Sequence, residues 1–277
     1  MSATVRPPGS LAPVPNTGRV AGVAFTVLSS GDGDDGPVTV FAHGLGGSAS
    51  ETRPLALRVP GTRVLLNFRG HGVSDALPGG WDYDVLAEDL LAVADHVGAT
   101  ACVGLSLGCG ALLRVLRDDP TRFDSLAMVM PAAIDDTRSD GATLRLQSLG
   151  AAIDRGDVEA VTALLLTEVP VALRERRAVP LLLARRAAEL VLRPAPVPLH
   201  PHTDPDRPLA DRAVLAAVTA PALVVGQAGD RLHPLSLARE LAAALPAGEL
   251  LALPEGGVFW TDAVRAQTAL ATHLETA

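Results

Sequence analysis

Apolar positions along the chain change their spacing in a regular way. Several short runs are almost continuously apolar and end in glycine, proline or polar residues, which predicts buried strands. These runs span residues 23–28, 37–42, 63–68 and 125–130. Between two of them, residues 82–97 carry apolar side chains every three or four positions, which predicts a helix. Strands that alternate with helices indicate a mostly parallel sheet covered on both faces.

The alternation stops near residue 134 and resumes near residue 212. In between, helical spacing predicts helices over 142–152, 157–168 and 180–192, and no apolar run resembles a strand. Beyond this segment we predict strands at 222–226 and 249–253, a helix at 235–245, and a terminal helix capped by Thr261. The chain is therefore predicted to form an α/β core from residues 1–133 and 212–277, with 134–211 inserted as a helical lid. Residues 1 to about 18 are proline-rich and are expected to lie loosely on the surface.

Composition excludes several classes of partner. The net charge of −8 argues against nucleic acid or an anionic membrane surface. No apolar run approaches the ~18 residues of a membrane span, so we expect a soluble, cytoplasmic protein. Aromatic residues make up only 3% of the chain, so a pocket would be walled by aliphatic side chains. The two cysteines are expected to be small core residues rather than a disulfide. The composition leaves the oligomeric state open.

Ser106 lies in the most informative stretch of the chain. An apolar run beginning at Ala101 leads into Gly104-Leu105-Ser106-Leu107-Gly108, and a helical pattern follows directly. A serine on such a strand-to-helix turn is held in a strained conformation with its hydroxyl exposed above the sheet. The helix start directs backbone N–H groups and a positive dipole end towards the same place. This arrangement suits an acyl-transfer nucleophile.

Four motifs, in order and spacing, give the chain a resemblance to the α/β-hydrolase superfamily from about residue 20 onward. They are HGLGGS at 43–48, FRGHGVSD at 68–75, GLSLG at 104–108 and GQAGDRLHP at 226–234. The resemblance implies that Ser106 is the nucleophile and Asp230 the triad acid. It also implies that the backbone N–H groups of Leu45 and Leu107 form an oxyanion hole. The predicted substrate-binding residues are His43, Gly44, Leu45, Leu107 and Val258.

The chain departs from the family pattern at the catalytic base. The family's histidine follows the last strand, and Val258 stands at that place, whether by nature or by engineering. His233, three residues after Asp230, is the preferred surrogate base. His43 and His71 are weaker candidates, because each belongs to a motif in which histidine is normally structural.

These observations leave three hypotheses about function. In the first, Ser106 acts on an ester, thioester or lactone of a small apolar substrate, with an atypical or incomplete triad. In the second, the fold carries out a non-hydrolytic elimination, cyclisation or acyl transfer, for example in secondary metabolism. In the third, the protein binds a ligand without turnover. We prefer the first.

Two further segments contain residue types that can bind metal ions. Residues 31–36 are acidic and glycine-rich, but the glutamate that a calcium loop needs is absent, so a turn is expected. A second cluster lies in a proline-rich linker and comprises His200, His202, Asp204 and Asp206. Its ligand types suit zinc, although a surface loop is the simpler interpretation. We expect no metal and no cofactor.

Overall fold

The computed structural model describes residues 16–29, 36–136, 140–192 and 207–275. The predicted turn at 31–36 lies outside these residues apart from Gly36, and so does the histidine and aspartate cluster at 200–206.

The described chain is built around an eight-stranded sheet. Its strands are β1 Asn16–Val20, β2 Val23–Leu28, β3 Val38–Ala42, β4 Thr62–Asn67, β5 Ala101–Leu105, β6 Ser125–Val129, β7 Ala222–Gln227 and β8 Gly248–Leu253. Their order across the sheet is β1-β2-β4-β3-β5-β6-β7-β8. β2 runs antiparallel to both of its neighbours, β1 and β4. The six strands β3 to β8 are joined by parallel pairings. The predicted parallel sheet is confirmed.

For residues 16–18, the edge strand β1 corrects the expectation that residues 1 to about 18 lie loosely on the surface. β1 pairs with β2 through the turn at Ala21 and Gly22. Gly18 allows this pairing, because a Cβ there would lie 2.3 Å from the ring of Phe25. A strand with so few apolar residues leaves no alternating pattern to detect.

Eight α-helices occur in the described residues. They are α1 Ala49–Ala56, α2 Tyr83–Val97, α3 Leu107–Asp118, α4 Asp140–Asp154, α5 Val158–Leu166, α6 Ala178–Val191, α7 Leu235–Ala244 and α8 Ala263–Glu275. Asp82 caps α2 by accepting a hydrogen bond from the N–H of Val85. The predicted cap of α8 is wrong: Thr261 belongs to a π-helical turn, Gly257–Thr261, and its hydroxyl donates to the carbonyl of Glu255.

Two apolar layers cover the sheet. Adjacent strand residues point to opposite faces, so Val40 and Cys102 pack against α2, α3 and α7, whereas Phe41 and Val103 pack against α1 and α8. Cys102 and Cys109 are both buried and free, as expected. Because β3 to β8 run parallel, their carboxyl ends lie at the same edge of this covered sheet, and the candidate site lies there.

Helices α4, α5 and α6 lie between β6 and β7 in the chain. They share an apolar cluster that includes Ala152, Val161, Ala187 and Leu190. No strand occurs in the described part of this inserted segment, residues 140–192. Within the described residues, no helix is both long enough and apolar enough to cross a membrane.

Candidate active site

The backbone at Ser106 is strained in the way that the turn between β5 and α3 requires. Its φ of 51° and ψ of −105° lie in a region that residues with side chains rarely adopt. Two glycines permit the close crossing of chains beneath it. A Cβ on Gly104 would lie 2.7 Å from the nitrogen of Cys109, and one on Gly108 would lie 2.3 Å from the carbonyl oxygen of Ala42. Ser106 is therefore held at the carboxyl end of β5 with its side chain partly exposed.

His233 lies directly against Ser106. Its Nε2 is 2.8 Å from the Ser106 Oγ, and its Nδ1 is 3.1 Å from Oδ2 of Asp230. The loop between β7 and α7 carries both His233 and Asp230, which brings them to the same sheet edge as Ser106. The His233 side chain is 12% exposed and that of Asp230 is 13% exposed.

Asp230 is surrounded by hydrogen-bond donors. The backbone N–H groups of Leu232 and His233 donate to Oδ1, and the Gln227 amide and His233 Nδ1 face Oδ2. Burial alone would raise the pKa of Asp230, but the hydrogen bond from His233, its charge and these donors outweigh burial and lower the pKa from 3.8 to about 2. The carboxylate is therefore ionised and can only accept. In the neutral imidazole the single proton of His233 therefore resides on Nδ1, facing the carboxylate, and Nε2 is left to accept from the Ser106 hydroxyl.

The loop at residues 43–48 is braced by its own histidine. His43 is fully buried, and its Nε2 accepts a hydrogen bond from the N–H of Phe68. Its Nδ1 therefore carries the proton and donates to the carbonyl of Gly44 at 2.7 Å. That carbonyl also accepts from the N–H of Gly47. Both ring nitrogens of His43 thus serve the backbone.

Leu45 and Leu107 each belong to a segment that adjoins Ser106. A Cβ on Gly44, next to Leu45, would lie 3.5 Å from the Cβ of Ser106, and Leu107 follows Ser106 in the chain. Leu45 lies in the braced loop, and Leu107 is the first residue of α3. Within the described residues, neither backbone N–H donates a hydrogen bond to another protein group. First-turn N–H groups of a helix have no intrahelical partner, so the N–H of Leu107 remains available to a ligand.

Val258 is connected to the Asp230 carboxylate through Gln227. The Val258 side chain is 1% exposed and belongs to the apolar cluster that also contains Leu253 and Leu270. Its backbone N–H donates to Oε1 of Gln227 at 3.1 Å, and the Gln227 amide nitrogen donates to Asp230 at 3.0 Å. Gln227 therefore joins the loop after β8 to the loop after β7.

Replacing Gln227 with methionine is expected to lower the free energy of unfolding by ~1–3 kcal/mol, because the buried N–H of Val258 loses its acceptor. Asp230 retains its other donors. Urea denaturation monitored by circular dichroism measures the change. Gln147→Met, at an exposed position of α4, is the matched control. Equal stability of the two variants would contradict the bridging role of Gln227.

The remaining described histidines lie in other surroundings. His71 is buried beside His43, with Nδ1 3.2 Å from the carbonyl of Arg69. His273 on α8 contacts the carbonyl of Leu126, and His96 lies exposed on α2. Among the described residues, no group of three or more histidine, cysteine or acidic side chains could hold a metal ion.

Sequence reasoning missed three polar residues that bond to the loops carrying the candidate residues. Gln227 ends β7, so its place at the carboxyl edge of the sheet could have drawn attention. Glu51 accepts a hydrogen bond from the N–H of Gly44, and Arg186 donates to the carbonyl of Gly46. Glu51 lies only three positions beyond the motif at 43–48, but an acidic residue in the first turn of a helix gave no separate signal. Arg186 meets the loop after β3 only in the folded chain, so nothing local in the sequence links it to the site.

Comparison with known proteins agrees with this architecture. The protein named "Putative carbamate hydrolase RutD" of Variovorax paradoxus (strain S110) is 31% identical over 235 residues, which are 80% of this chain and 85% of that protein. The "Dihydrolipoyllysine-residue acetyltransferase component of acetoin cleaving system" of Pseudomonas putida is 29% identical over 252 residues, covering 88% of this chain. The match covers 64% of that protein, so this chain spans less than two thirds of its length.

A solved structure of a hydrolase from Pseudomonas aeruginosa PA01 matches with a TM-score of 0.73 at 21% identity, covering 94% of this chain and 98% of that one. The model of the Alpha/beta hydrolase family matches residues 39–271. This protein belongs to the α/β-hydrolase family.

Proposed function

We propose that the protein is a serine hydrolase that cleaves an ester, thioester or lactone of a small apolar substrate. The observation that carries the proposal is a chain of two hydrogen bonds. The Ser106 Oγ lies 2.8 Å from Nε2 of His233, and Nδ1 of His233 lies 3.1 Å from Oδ2 of Asp230. In this arrangement the triad has all three chemical parts, and its atypical feature is that one loop supplies both acid and base. Val258 then needs no chemical role.

The reaction follows from the protonation states. The Ser106 Oγ attacks the substrate carbonyl carbon while Nε2 of His233 takes the hydroxyl proton. Asp230 stabilises the imidazolium that forms and remains ionised. His233 returns the proton to the leaving group as the carbon–oxygen or carbon–sulfur bond breaks, giving an acyl-Ser106. A water molecule then loses a proton to His233 and attacks the acyl carbon, which releases the acid and regenerates Ser106.

Leu45 and Leu107 would stabilise the negative oxygen in both halves of this reaction. Leu45 follows Gly44 in the braced loop and Leu107 follows Ser106 in the chain, so we expect both N–H groups to face the oxygen that becomes negative. Each such donor can supply ~3 kcal/mol of transition-state stabilisation. His43 supports this site by fixing Gly44 rather than by touching substrate.

We propose that residues 134–211 form the lid of this enzyme. The inserted helices contact loops that follow two different strands. Arg186 on α6 reaches the loop after β3, and Trp260 after β8 packs against the apolar cluster of Val169, Leu173 and Val179. Because β5 lies between β3 and β8 in the sheet, the insertion spans the side on which Ser106 lies. A lid rich in leucine and valine favours an apolar acyl group.

A carbamate is the second candidate substrate, because the relative from Variovorax paradoxus carries that activity in its name. A carbamate presents the same electrophilic carbonyl carbon to Ser106 as an ester does. Release of ammonia or an amine from simple carbamates, compared with acid release from esters, separates the two substrate classes.

Labelling by a fluorophosphonate probe tests the nucleophile. We expect covalent labelling of the wild-type protein at Ser106 and hydrolysis of p-nitrophenyl esters of short fatty acids, both abolished by Ser106→Ala. Ser148→Ala, at an exposed serine of α4, should label as the wild type does. Equal labelling of wild type and Ser106→Ala would overturn the proposal. Labelling without release of acid from esters, thioesters, lactones or carbamates would instead favour the non-hydrolytic hypothesis.

A further inference from the structure

Arg186 is the point at which the inserted helices contact the loop that precedes α1. Its guanidinium donates to the carbonyl of Gly46 at 2.9 Å and lies 3.6 Å from a carboxylate oxygen of Glu51. The next residue of α6, Ala187, packs in the apolar cluster of the inserted helices. The position of Arg186 is therefore fixed by helix packing, and the two side chains of this pair are only 24% and 29% exposed.

Glu51 lies in the first turn of α1 and is hydrogen-bonded to the loop that bears Leu45. Its Oε2 accepts the N–H of Gly44 at 2.9 Å. A Cβ placed on Gly44 would lie 3.2 Å from that oxygen and 3.5 Å from Cβ of Ser106, so only the width of one glycine separates the carboxylate from the serine. Here Glu51 holds the loop in shape.

This placement creates an electrostatic conflict. The proposed reaction develops a negative oxygen beside Ser106, and a second negative charge so close would oppose it. Arg186 supplies the compensating positive charge. The guanidinium can do so only while α6 lies against the loop, because it belongs to the inserted segment.

We propose that Arg186 is a positioning residue for the braced loop at residues 43–48. Its charge compensates that of Glu51, and its contact with the loop makes the geometry of Leu45 depend on the packing of α6 against that loop. The inference rests on the proposed function, because it assigns the pair a role in the acyl-transfer step. The inference predicts that Arg186 affects kcat more than KM, because Arg186 does not bind a group of the substrate.

Kinetics of three variants test this inference, with p-nitrophenyl acetate as the substrate. Arg186→Met is expected to lower kcat about tenfold or more with a smaller change in KM, because both the loop geometry and the local charge are lost. Glu51→Gln keeps an acceptor for the N–H of Gly44 and should lose less. In the double variant the uncompensated charge is absent, so kcat should recover by ~3-fold or more relative to Arg186→Met.

Arg185→Met is the matched control, because Arg185 is the adjacent residue of α6 and is 76% exposed beside Glu189. It should behave as the wild type. A kcat for Arg186→Met equal to that of Arg185→Met would overturn the inference, and so would a double variant as slow as Arg186→Met. Absence of Ser106-dependent turnover in the wild type would count against the proposed function itself, so the two failures are distinguishable. Thermal unfolding of all four variants identifies any loss of activity that comes from partial unfolding.

Discussion

Alanine at position 233 is expected to lower kcat by ~10⁴-fold or more, with KM changed little, because Ser106 loses the group that accepts its proton. In the described residues, His233 Nε2 is the hydrogen-bond partner of the Ser106 Oγ, at 2.8 Å. Steady-state hydrolysis of a p-nitrophenyl ester, with pre-steady-state measurement of the acylation burst, gives the change in the chemical step.

Two comparisons sharpen this experiment. His96→Ala removes an exposed histidine on α2 and should leave kcat unchanged. Added imidazole should restore part of the activity of His233→Ala, because a small base can enter the space that the side chain leaves. Near-wild-type turnover by a folded His233→Ala protein would show that His233 only braces its loop. Ester hydrolysis would then depend on a base other than His233.

The fold was predictable because its signals are local. The apolar run at 37–42 and the helical spacing at 82–97 each report burial that neighbouring residues share, and both elements form within a residue or two of the predicted limits. β1 was not predictable in this way, since its stability comes from pairing with β2 and from the fit of Gly18 over Phe25. Thr261 shows the opposite error. A good capping residue was assigned to a helix start, but the chain forms a π-helical turn there and the hydroxyl bonds the carbonyl of Glu255.

In the candidate site, too, local motifs identified residues, whereas contacts between distant residues could not be predicted. Ser106 and Asp230 were identified from motifs, and His233 from its short spacing to Asp230 together with the absence of a histidine at 258. The sequence could not show that His233 contacts Ser106, because 127 positions separate them and only the parallel sheet brings their loops together. Arg186 and Gly46 are 140 positions apart, and their contact depends on how α6 packs. Contacts of this kind depend on tertiary geometry and leave no periodic pattern.

Asparagine at position 230 is expected to reduce kcat by ~10⁴-fold, because it reverses the hydrogen bonding that sets the His233 tautomer. Oδ1 of the asparagine can still accept from the N–H groups of Leu232 and His233. Its NH₂ group would then face the Gln227 amide and His233 Nδ1, which are both donors in the wild type. Gln227 cannot relieve this by turning its amide over, because the N–H of Val258 needs the Oε1 acceptor. His233 must therefore move its proton to Nε2 or leave the site, and either change removes the base from Ser106.

The same substitution has a second, pH-dependent signature that does not rely on activity. The pKa of Asp230 is lowered in the folded protein from 3.8 to about 2, so its contribution to stability is present above 3.8 and is lost as the pH falls towards 2. A difference of this size corresponds to stabilisation on the order of 2 kcal/mol when the ionised carboxylate faces a protonated His233. Urea denaturation at pH 7, 5, 4 and 3 should show wild type more stable than Asp230→Asn at pH 7 and 5, with the gap narrowing at pH 4 and 3. Asp124→Asn, at an exposed position before β6, is the control and should show no such trend. A gap between wild type and Asp230→Asn that is constant with pH would mean that the ionised carboxylate is not what holds His233 in place.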